Sequence, residues 1–244
     1  LTLISGTGTT GVTGAIGGTT ALGTLTLQGD NVSATGTVTF NGNVTATSIT
    51  TYARAYSVVF NEDASITNDC TFLNTGGVTL GNANDDSLLF TGGLDTQASA
   101  TSIAGTVATT DTQMDLGAVT MAANSTIKSG TAAINVTSVT DGASSYTLTI
   151  QANTVGSTGT VTFTGNVTIN GITTYAQAYA VTLQGAASVI DLDTNFLNTG
   201  VTTIGNENTD SSTFTAGLGA VSAGGVSIAG TVATTDTQMD LGAV

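Results

Sequence analysis

Eighteen consecutive residues, SIAGTVATTDTQMDLGAV, occur twice in this 244-residue chain, at 102–119 and again at 227–244. The copies lie 125 positions apart. Other blocks repeat at nearly the same distance. GTVTFNGNVT (36–45) returns as GTVTFTGNVT (159–168), 123 positions on, and TTYARAYSV (50–58) returns as TTYAQAYAV (173–181). FLNTG at 72–76 returns at 196–200, an offset of 124. A chain that repeats itself in this way is built from units that bury their apolar faces against their neighbours. The drift from 123 to 125 belongs in turns, because a one-residue slip inside a strand swaps its two faces.

The local pattern is that of strands. Thr24-Leu25-Thr26-Leu27, Thr37-Val38-Thr39-Phe40, Thr147-Leu148-Thr149-Ile150 and Thr160-Val161-Thr162-Phe163 alternate strictly. Period two puts Val, Leu, Ile and Phe on one face and Thr on the other. Asn-Gly and Asp-Gly pairs at 41–42, 141–142 and 170–171 punctuate the runs, and no window carries a helical apolar stripe. Proline is absent, which suits sheets in which every strand is central, because proline deletes a ladder hydrogen bond. A sandwich or barrel and a β-solenoid both fit many short strands. A repeat near 124 residues with no change of composition between the copies favours the solenoid. The expectation is an all-β, right-handed parallel β-helix over residues 1–244, a single segment holding two super-repeats of about 124 residues. Each super-repeat would make six coils, giving about twelve coils of about 20–21 residues and a rod about 55 Å long. Asn43, Asn82, Asn166 and Asn206 are expected in amide ladders or left-handed turns. Both ends of the sequence fall inside strand-like runs, so the segment is expected to belong to a longer chain, with any export signal or anchor outside it.

Composition narrows the function. Charged residues make up 7% of the chain, against about a quarter in ordinary domains. The net charge of −14 sets sixteen carboxylates against Arg54 and Lys128. That argues against nucleic acid and against anionic membrane surfaces, both of which are held by Lys and Arg. No run approaches the length of a membrane-spanning helix. Cys70 has no second cysteine to pair with and no histidine to activate it, so it reads as a buried or incidental thiol.

Two stretches carry a family resemblance. GVTGAIGGTTALGTLTL (11–27) and TQMDLGAVTMAANSTIKSGTAAINVTSVTDGASSYTLTI (112–150) resemble repeats of very long bacterial filamentous-haemagglutinin-like and autotransporter-like surface proteins. The resemblance implies a secreted or cell-surface β-helical protein that serves as filament, sheath or adhesin stalk, with self-association into fibres. It implies no catalytic residues. The alternative expectation is a module that binds glycans or a host surface.

The candidate site residues follow from what is duplicated. Asp111, Asp115, Asp236 and Asp240 are the most faithfully repeated acids. Neighbouring carboxylates are the oxygen ligands that Ca²⁺ takes, whereas the plainer reading is solvated turn residues that keep a Thr-rich rod soluble. Tyr52, Tyr56, Tyr175 and Tyr179 form the main aromatic set, expected as a lateral contact, a glycan-stacking surface or a corner of the core. Carboxylate pairs also serve glycoside cleavage, but the lack of His and Trp and the scarcity of basic residues argue against an enzyme. No cofactor is expected apart from calcium. The Thr-x-Thr runs suggest an ice-binding face, but in the sequence they fall at irregular intervals.

Overall fold

The computed structural model describes residues 1–152 and 156–244. Every assigned element is a strand and every pairing is parallel, so the molecule is a β-solenoid of about eleven turns. The pairings sort the strands into three columns, one along each face of the rod. The first face begins Thr10–Val12, Thr37–Phe40, Ser57–Phe60 and Val78–Leu80. The second includes Ala64–Ile66 and Ser87–Phe90. The third includes Leu22–Leu27, Cys70–Thr71 and Leu94–Asp95. Each turn visits the three faces in that order.

Alternation decides what each strand buries. On the first face Phe40, Phe60, Leu80, Ile103 and Met121 are successive rungs of one inward ladder. All five are buried. Phe40 stacks on Phe60 at 5.1 Å, and Phe72 meets both Phe60 and Phe90 edge to face at 6.2 Å. Such ring pairs add about 0.5–1.5 kcal/mol beyond the area they bury. The second copy keeps the Phe196–Phe214 contact at 6.2 Å, and Leu183 stands where Phe60 stands in the first.

The turns are longer and less uniform than expected. Successive first-face rungs are 18 residues apart from Thr101 to Val119 and 28 apart from Thr10 to Val38 and from Val139 to Val167. The extra residues sit at corners, where an insertion leaves the alternation of the strands intact. About eleven turns therefore replace the expected twelve.

The super-repeat is not six coils. From Val38 the first-face column runs through Val58, Val78, Thr101 and Val119 to Val139, five full turns. The chain then crosses the second face at Leu148 and reaches Val161, the copy of Val38, on the third. One super-repeat is thus five and two-thirds turns, and each copy is rotated by one face relative to the other. Val167–Ile169, the copy of a second-face strand, accordingly lies on the first face.

Left-handed positions also differ from expectation. None of the four asparagines has positive φ. The non-glycine residues that do are Gln28 (61°), Gln151 (52°), Asp111 (53°) and Asp236 (53°), two pairs of repeat equivalents. The one amide–amide hydrogen bond between asparagines among the described residues joins two outside those four, Asn61 Nδ2 donating to Asn41 Oδ1 at 2.7 Å.

Candidate functional site

The repeated tyrosines separate into two roles. Tyr56 and Tyr179 are 0% exposed and fill corners of the core, which withdraws them from the expected surface. Each follows its partner by four residues because the chain turns between them. The Tyr52 N–H donates to the Tyr56 hydroxyl (3.0 Å), which donates in turn to the Leu27 carbonyl of the preceding turn (3.3 Å). The copy repeats this with Tyr175 N–H to Tyr179 (2.8 Å) and Tyr179 to Ile150 O (3.3 Å). Burial is the main cause that pushes both phenols above their ordinary pKa. Tyr52 and Tyr175 stay partly exposed. On the same corners Leu73 and Leu197 are exposed at 46% and 43%, and their N–H groups donate to Thr51 and Thr174 Oγ1. Their recurrence in FLNTG was visible in the sequence, but their exposure was not, because Phe72 beside Leu73 takes the inward position.

The acids are dispersed. Asp111 lies in the corner between the second and third faces, and its Oδ1 accepts from Thr131 N–H (2.9 Å) and Oγ1 (3.1 Å) of the next turn. Asp115 lies on the third face and accepts from Gln113 Nε2 (2.8 Å) and Asn135 Nδ2 (2.7 Å). Their copies sit one face away, where Asp240 accepts from Gln238 Nε2 (2.5 Å). Asp115 shares a groove of about 330 Å³ with Asp69 and Asp95, and Asp240 shares one of about 390 Å³ with Asp193. In the second groove Gly219 replaces Asp95. Among the described residues no three His, Cys, Asp or Glu side chains gather where they would hold a metal ion. The structure does not bring the four candidate acids together: Asp115 has Asp95 and Asp69 beside it, and Asp240 has Asp193.

Some polar corner residues were not singled out in the sequence. Gln28 and Gln151 are fully buried. Gln28 Oε1 accepts from Ser5 and Gly6 N–H (2.9 and 3.0 Å), and Gln151 Oε1 accepts from Ser129 and Gly130 N–H (3.0 and 3.2 Å). Ser-Gly followed one turn later by Gln is the signal that would have found them. The repeated acids Asp86 and Asp210, by contrast, were visible in the sequence; they are buried, and each accepts from two N–H groups three and four residues before it, Asn82 and Ala83 for Asp86 and Asn206 and Glu207 for Asp210. Cys70 is buried, and desolvation, helped by the neighbouring Asp69 charge, pushes its thiol far above the usual range. A thiol so placed is a poor nucleophile. No helix among the described residues is long and apolar enough to cross a membrane.

Six threonines that look irregular in sequence share one column in space with Gly, Val, Ser and Ala. Gly11, Thr39, Val59, Thr79, Ser102, Thr120, Thr140, Thr168, Val189, Thr213 and Ala233 follow one another as paired rungs on the outside of the first face. Variable turn lengths hide this order in the sequence. The chain matches no family model, no curated protein and no solved structure.

Proposed function

We propose that the chain is a structural part of an extracellular or cell-surface bacterial fibre, a filament, sheath or adhesin stalk that works by stacking turns and by associating with its own kind. The observation that carries this reading is the first-face column, which runs through all the turns without a break across both copies. In such a stack each turn's strand edges are paired with the next turn, so load along the rod is shared by hydrogen bonds on three faces. The resemblance of 11–27 and 112–150 to filamentous-haemagglutinin-like repeats supports the same reading. Negative-stain microscopy of the purified chain tests it. The expected images show rods about 50 Å long that associate with one another, side by side or end to end. Rods that stay single at every concentration, or turnover of a polysaccharide by the chain, overturn it.

A glycan- or host-binding role is the second reading. It is supported by Tyr52 and Tyr175, which remain at the surface on corners that also expose Leu73 and Leu197.

A further inference from the structure

We propose that the first face is the surface by which rods associate side by side, and that its occupant is the first face of a second copy of this chain. The inference rests on the self-association reading above and adds to it the face, the partner and the closure.

The argument starts from charge. The chain carries −14, so any face that presents carboxylates repels its own copy. The outward ladder of the third face runs through Asp95 and Asp115. That of the second face reaches Lys128 and, in the second copy, Asp240. The first-face ladder from Gly11 to Ala233 holds no charged residue in eleven rungs. The column on its N-terminal side is also uncharged, as at Thr37–Ser57, Ala118–Ser138 and Ala187–Ser211, and the column on its other side carries one acid, Asp191.

This neutrality is not inherited from the repeat, because each copy is rotated by one face. The second half of the first face is made from blocks that lie on the second face in the first copy. Asp63 immediately precedes the second-face strand Ala64–Ile66. In the second copy the matching strand has moved to the first face, and the residue at Asp63's place in the buried/exposed alternation is Ala187. The acid is absent at that rung, and the acid this strand does carry, Asp191, stands two residues beyond Val189 at the edge of the ladder, where it accepts from Thr215 Oγ1 of the next turn.

The dimensions fit a second rod. Ten rung spacings and a strand width give a strip about 50 Å by 10 Å, or about 1,000 Å² buried over two rods, the lower bound for a specific interface. Gly, Ala, Ser, Thr and Val side chains keep it flat, so two such sheets reach the usual face-to-face spacing of about 10 Å. Exposed acids at the adjoining corner, Glu62 and Asp63 among them, form a charged rim. Among the described residues only the first face has a central ladder that is neutral from end to end, so side-by-side association closes at pairs.

Sedimentation velocity on the intact chain tests this at about 100 μM, a concentration suited to a small interface. The wild type is expected to show a reversible monomer–dimer equilibrium that tightens with salt as the rim acids are screened. Thr79→Glu/Thr120→Glu/Thr168→Glu on the first face is expected to weaken the dimer at least about tenfold. Thr26→Glu/Thr162→Glu/Thr203→Glu, with the same added charge on the third face, is expected to leave it within about threefold. Unchanged circular dichroism and melting establish that both variants fold, and single-site Thr120→Glu replaces the triple if it does not. Equal weakening by the two variants, or a first-face variant that associates like wild type, overturns the face and leaves the self-association reading standing. A wild type that stays monomeric under all salt conditions overturns both. Binding of the monomer to crystalline polysaccharide or to ice, lost with the first-face charges, overturns the second copy as occupant.

Discussion

The smallest unit that repeats with its chemistry intact is the buried tyrosine of each corner. Tyr56 and Tyr179 each accept one backbone N–H and donate to one carbonyl of the preceding turn. Tyr56→Phe therefore leaves a backbone donor and acceptor without their partner, which costs about 1–3 kcal/mol. Tyr179→Phe is expected to lower the melting temperature by a similar few degrees, because its bonds are the same. Both phenols have raised pKa values, with burial the chief cause. The sign follows: the folded state holds these protons more tightly than the unfolded chain, whose tyrosines titrate near about 10. The stability they contribute is complete below that pH and is lost as pH rises through the higher folded pKa. Melting curves of wild type and Tyr56→Phe/Tyr179→Phe at neutral and strongly alkaline pH check this. The wild type is expected to lose more stability between the two pH values, and an equal loss would sink the argument.

At the scale of the turn, the fold depends on how closely one corner passes over the next. A Cβ placed on Gly36 would fall on the carbonyl of Gly8, and one on Gly159, its repeat equivalent, on the carbonyl of Ala132. Backbone cannot yield as a flexible side chain does, so Gly36→Ala and Gly159→Ala are each expected to destabilise by about 2 kcal/mol or more. A methyl group on Gly11 or Gly23 would meet nothing within 4 Å, and Gly11→Ala or Gly23→Ala is expected to change stability by less than about 0.5 kcal/mol. Denaturant titration of the four variants checks the contrast. The same contrast shows what the sequence could reveal. Period two in Thr37–Phe40 or Thr147–Ile150 identifies the buried face directly, because strand geometry is local. The corners are not local. Gly36, Gln28 and Tyr56 act on residues about one turn away, and the turn length that brings them together varies from 18 to 28 residues. The expectations of uniform coils and of left-handed asparagines failed there for that reason. The tyrosine site was half legible: four repeated aromatics were visible, but which two turn inward depends on the corner between them.

At the scale of the whole rod, the relation between the two copies decides what a partner meets. A repeat of an integral number of turns would set equivalent side chains above one another on one face. Five and two-thirds turns instead set them one face apart, so the grooves of Asp115 and Asp240 and the corners of Tyr52 and Tyr175 open in different directions. A flat partner laid along one side of the rod touches equivalent residues of one copy only. The first face obeys the same rule, since its two halves derive from different blocks, yet its central ladder is uncharged throughout. Cross-linking distinguishes the two geometries. Asn135 and Thr162 are adjacent rungs on the third face, with Cα atoms about 4.8 Å apart, within disulfide reach. Were the repeat six whole coils, Thr162 would instead follow Thr140 on the first face. In the structure the rung after Thr140 is Thr168. Asn135→Cys/Thr162→Cys is therefore expected to oxidise to an internal disulfide that shifts the protein on a non-reducing gel, and Thr140→Cys/Thr162→Cys is expected not to. Cys70 is buried in both variants and does not compete. Efficient bridging in the second pair and none in the first would show that the copies stack in register, and the rotation with everything drawn from it would fall.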